Sequence, residues 1–89
     1  MQPNMVVKAL AGRDAGEWFA VLAIEEDFAL IVNGKSRPLA QPKRKRKRHL
    51  SATATMLSDD CLATDRKLRF ALREFAANCN KEGNDLGKG

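Results

Sequence analysis

The sequence predicts a mainly β domain, a small open barrel of about five short strands followed by one C-terminal α-helix. Three observations carry that prediction. Short apolar and β-branched runs, separated by Gly, Asn, Asp and Pro, recur through residues 5–56. From Asp65 the apolar period lengthens, and Leu68, Ala71, Leu72, Phe75, Ala76 and Cys79 form one helical stripe. A chain of 89 residues holds one small core and not two independent ones.

The elements follow in order. Residues 5–10, Met-Val-Val-Lys-Ala-Leu, are short, apolar and β-branched at the centre, a first strand. Residues 11–16, Ala-Gly-Arg-Asp-Ala-Gly, carry turn chemistry, because glycines accept positive φ and Asp14 can bond nearby backbone. Residues 17–25 form the second strand, with Trp18, Ala20, Leu22 and Ile24 expected on one face and Phe19, Val21 and Ala23 on the other. Two apolar faces imply that both are covered. Glu25, Glu26 and Asp27 make an acidic loop, and residues 28–32 the third strand. Asn33-Gly34 is a type I′ hairpin signal, so residues 35–40 are expected to pair with 28–32, with Pro38 marking a sheet edge. The alternation of Leu50, Ala52, Ala54 and Met56 with Ser51, Thr53 and Thr55 predicts a last half-buried strand over 49–56. Residues 1–56 thus form the barrel, and 57–89 a linker, an amphipathic helix over about 65–79 and a flexible tail. Thr64 is the expected N-cap, and Gly83-Asn84-Asp85 is expected to end the helix near Asn80.

Lys43, Arg44, Lys45, Arg46, Lys47 and Arg48 form an unbroken cationic run. Sixteen basic residues against eleven acidic ones give a net charge of +5, and without the run ten would face eleven. The chain is a near-neutral domain bearing one concentrated cationic segment, which points to a polyanionic partner. Each cation near a phosphate displaces condensed counterions, so engaging all six on RNA would give a salt slope of about −4. Flanked by predicted strands, the run is a fixed loop or strand on one side of the barrel, not a free arm. Duplex DNA fits the charge, but the one helix is committed by its stripe to packing.

Enzymatic chemistry is not expected. His49 is the one histidine and has no companions for a metal site; it stacks on RNA or stands exposed. No Ser/His/Asp set, partnered carboxylate pair or phosphate-cradling Gly-Lys-Ser/Thr motif is present. No cofactor, metal or small-molecule substrate is therefore implied. Cys61 and Cys79 read as reduced thiols, and no secretory leader precedes them, which suits a cytoplasmic protein. The longest apolar run, residues 18–24, is far short of the ~20 residues that span a bilayer, so no membrane partner is expected. Trp18 reads as core before it reads as a stacking platform.

The loop at 11–16, the alternating strand to Ile24, Asn33-Gly34-Lys35-Ser36-Arg37, and Pro42 with the tract closing on His49-Leu50 together resemble the KOW motif of RNA-binding proteins. The set covers residues 6–50 and is similar to the KOW-type large-subunit ribosomal proteins and their small bacterial relatives. The resemblance implies an SH3-like barrel that contacts ribosomal or other structured RNA without catalysis, with ribosomal proteins as further partners. It implies that Arg13 and Gly16 approach the RNA backbone and that Lys35, Arg37 and residues 43–48 hold phosphates. Ala15 and Glu17 stand where that family carries basic residues, which shifts the load from the loop to the tract. The competing reading is a protein-interaction module of translation or transcription machinery, using the stripe or Trp18 and Phe19.

Overall fold

The computed structural model describes the backbone of residues 1–88 and the side chains of residues 1–79. It is a single antiparallel sheet with one long helix. The strands are β1 (Met5–Ala9), β2 (Trp18–Glu25), β3 (Phe28–Val32), β4 (Lys43–Arg46) and β5 (Leu50–Met56), followed by α1 (Asp65–Lys88). Their order in the sheet is β4-β3-β2-β1-β5. Laid flat, five strands would hold β4 and β5 about 19 Å apart. Only the 3-10 turn Lys47–His49 joins them, and such a turn advances about 8 Å from Arg46 to Leu50. The sheet must therefore curl until its two edges approach at that end. Among the described residues no ladder joins β4 to β5, so the curled sheet keeps an open seam.

The curl creates an inner face, where Val7, Ala9, Phe19, Val21, Ala29, Ile31 and Leu50 are buried together without help from the helix. The outer face carries Val6, Ala20 and Val32, and α1 lays Leu68 and Leu72 on them. The helix thus covers the second apolar face, with Trp18 meeting Phe75 edge-on at 4.8 Å between centroids. Thr64 caps α1 as expected, its Oγ1 accepting from the Lys67 amide at 3.1 Å.

Four expectations need correction. Residues 35–40 are not a strand. Asn33 is buried, and its Oδ1 accepts from the amides of Lys35 (3.0 Å) and Arg37 (2.9 Å), so the chain wraps around that side chain. Gly34 has φ +79 but Asn33 does not share the positive φ that a type I′ turn requires at both residues. The strand beside β3 is the basic run itself.

The second correction concerns β2. Its ladder with β3 steps from Val21↔Ile31 to Ala23↔Leu30, a bulge at Leu22. The extra residue reverses the alternation, so Ile24 packs with the inner cluster and not with Trp18 and Ala20. The β1–β5 ladder also steps, from Met5↔Met56 to Val7↔Ala52, with two extra residues in β5, and in that strand Thr53 and Thr55 are half-buried while Ala52 and Ala54 are exposed. Thr53 Oγ1 donates to the Val6 carbonyl at 2.7 Å, which satisfies the inward hydroxyl. Lastly, α1 continues past Asn80 to Lys88. Gly83 weakens a helix by only about 1 kcal/mol relative to alanine, and no proline follows to stop it. Of the expected tail, Gly89 lies outside the described residues.

Candidate nucleic-acid interface

The cationic run is an edge strand, and the strand's period of two divides its six charges. In antiparallel pairs, partners share a face. Lys43 pairs with Ile31 and Lys45 with Ala29, placing both lysines on the inner-face side. Arg44 pairs with Leu30 and Arg46 with Phe28, placing both arginines outside. An alternating Lys-Arg sequence is thereby converted into two chemically different rows.

The rows do different things. Lys45 is half-buried and its Nζ donates to the Ala11 carbonyl at 2.6 Å, fastening the 11–16 loop to the sheet edge. Arg44 lies over Phe28, with Cζ 3.7 Å from the ring centroid, and its Nε donates to Glu25 Oε1 at 3.0 Å. Arg46 approaches the same ring at 4.8 Å. Lys43, Arg46 and Arg48 are exposed, and among the described residues none of the three makes an ion pair. Lys47 and His49 are half-buried in the 3-10 turn, where the Lys47 amide donates to the Asp27 carbonyl and the His49 carbonyl accepts from Leu10. A hollow of about 280 Å³ lies between Asp27, Arg46, Lys47 and Arg48. The acidic β2–β3 turn therefore borders the cations and offsets part of their field.

The remaining expected contacts are dispersed. Arg13 is exposed on the 11–16 loop, and Gly16, at φ +89, is also exposed, its amide bonded to the Ala9 carbonyl at 2.8 Å. Asp14 does not oppose Arg13. It turns inward, 6% exposed, and pairs with Arg37 at 3.1 Å. Arg37 is thus committed to joining two loops, and its Nε is buried without a hydrogen-bond partner. Removing Arg37 would leave the Asp14 carboxylate buried and unpaired. Arg37→Ala is expected to lower stability by about 2 kcal/mol in denaturant unfolding, the partial exposure of Arg37 keeping this below the fully buried range. Adding Asp14→Asn to that variant should recover part of the loss.

Lys35 is exposed on the other side of the same loop. With Trp18, Asn33, Arg69, Leu72 and Arg73 it lines a groove of about 480 Å³ between the loop and α1. The sequence placed Arg69 and Arg73 off the apolar stripe but did not bring Lys35 to them. That convergence depends on the loop being tied to the helix: Leu39 N donates to Asp65 Oδ1 at 2.7 Å, and Arg69 Nη1 to the Gly34 carbonyl at 2.7 Å. Lys8 Nζ stands 5.3 Å from the centre of the Trp18 ring, and Phe75 packs on that ring in a T-shaped arrangement, so Trp18 serves packing.

Among the described residues no three of His, Cys, Asp and Glu gather as a metal site would require, and no helix is long and apolar enough to cross a membrane. A scan against protein-family models and a search of the curated proteins both return no match.

Proposed function

We propose that the chain is a non-catalytic RNA-binding domain of the KOW type, docking on the phosphate backbone of ribosomal or other structured RNA. The observation that carries the reading is the set of three exposed cations without ion pairs, Lys43, Arg46 and Arg48, held on both faces of an ordered edge strand and on the turn that follows it. An ordered strand spares the backbone its share of the entropy cost of binding, and each phosphate that a cation meets releases counterions. Recognition of this kind reads RNA shape more than base edges.

Three available cations, and not six, set the expected salt response. Titrating structured RNA against the protein over a range of salt concentrations should give a slope of log K against log salt of about −2. Binding insensitive to salt would sink this mechanism. The groove lined by Lys35, Arg69 and Arg73 above Trp18 and Leu72 favours a second reading, in which an acidic amphipathic segment of a partner protein docks there. Such docking would not require Lys43, Arg46 or Arg48.

A further inference from the structure

The outer arginine row has a feature that phosphate docking does not use. Arg44 sits diagonally from Phe28 across the β3–β4 ladder, since Leu30 pairs with Arg44 and Phe28 with Arg46. Its guanidinium carbon lies 3.7 Å from the Phe28 centroid, which is stacking distance. Glu25 Oε1 holds the same guanidinium from the side at 3.0 Å. These two contacts restrain a long side chain that would otherwise sample many rotamers. The Arg44 side chain nevertheless remains 57% exposed. A planar guanidinium has two faces; Phe28 takes one, and more than half of the side-chain surface stays open to solvent.

We propose that Arg44 is a stacking platform for one unpaired RNA base, an inference that rests on the RNA-binding reading above. Arginine planes accept bases as aromatic rings do, and an unstacked base in a bulge or loop presents its π-face for such contact. The neighbouring cations Lys43, Arg46 and Arg48 then hold the phosphates on either side of the extruded nucleotide. Charge on Arg44 is already met by Glu25, so its contribution is its plane. The domain accordingly distinguishes irregular RNA from a continuous duplex by a means that net charge does not provide.

The test uses two RNA probes of equal length, a fully paired stem and the same stem with one unpaired adenosine, at about 0.1 M salt. The wild-type protein should bind the bulged stem roughly tenfold more tightly. Arg44→Lys, which keeps the charge and removes the plane, should bind the two probes equally while binding the paired stem as wild type does. Phe28→Leu, which keeps an apolar side chain under Arg44 but no ring, should reduce the preference in the same direction. Circular dichroism melting confirms that both variants fold. Equal binding of both probes by wild type, or an undiminished preference in Arg44→Lys, overturns the platform while leaving phosphate docking intact. Wild type that binds neither probe overturns the platform and the RNA reading together.

Discussion

Replacing Gly34 by alanine is expected to destabilise the fold by about 3 kcal/mol, lowering Tm by about 15 °C. Two causes add. Gly34 has φ +79, a left-handed conformation that costs an L-residue about 1 kcal/mol or more. Its missing Cβ also faces the first turn of α1: an added methyl would collide with the Asp65 carbonyl oxygen, with Arg69 Cγ 3.0 Å and Arg69 N 3.2 Å away. The backbone oxygen cannot move aside alone, because Asp65 and Arg69 are the residues that bond the Leu39 amide and the Gly34 carbonyl. Either the loop leaves the helix or the helix leaves Val6, Ala20 and Val32. Gly16→Ala provides the control. It has φ +89 with nothing within 4 Å of the added carbon, so only the conformational cost of about 1 kcal/mol applies. Urea unfolding of the two variants should separate them clearly; equal losses would mean that the loop is not seated on the helix.

The same contact explains where sequence reasoning failed. Asn33-Gly34 carries the local chemistry of a two-residue hairpin. What overrides it is partly local, the buried Asn33 Oδ1 accepting from the Lys35 and Arg37 amides, and partly distant in the chain, Asp65 and Arg69 holding the loop in place. Strand β4 is one of the two conformations, loop or strand, that the sequence leaves open for the basic run. Lys-Arg alternation has no apolar period, so the run can be recognised as a strand only through its partner, β3. Elements with a strong pattern of their own behaved differently. Strand β3 spans Phe28–Val32 as the apolar run indicated, and α1 begins at Asp65 behind its Thr64 cap. The bulge at Leu22 lay between these cases, because a single extra residue changes which face Ile24 occupies without changing the residues that make the strand.

For the candidate interface, the sequence marked the charges but not their availability. Lys45 bonds a carbonyl 34 positions away, and Arg37 pairs with a carboxylate 23 positions away. No local signal distinguishes these two from Lys43 or Arg46, since long-range contacts decide which cations are committed. Sequence also gave no sign that Arg44 would lie on Phe28, a contact created by β4 taking the place of residues 35–40. The 11–16 loop presents its charge differently from the tract. Arg13 is not cancelled by Asp14, but it remains one exposed cation against the three that are free on β4 and the turn.

On the proposed reading Lys43, Arg46 and Arg48 supply the binding energy for RNA, and a triple variant separates their share from that of the rest of the chain. Changing all three to glutamine removes charge from exposed positions while keeping Lys45 on the Ala11 carbonyl and Arg44 on Phe28. Counterion release contributes about 0.7 log units per charge between 1 M and 0.1 M salt, so three charges account for about a hundredfold at about 0.1 M. That loss is expected for the triple variant in a mobility or anisotropy titration with structured RNA, against no more than about fivefold for Arg13→Gln. A correctly folded triple variant that binds RNA within about twofold of wild type would mean that the ordered basic edge is not where the RNA is held.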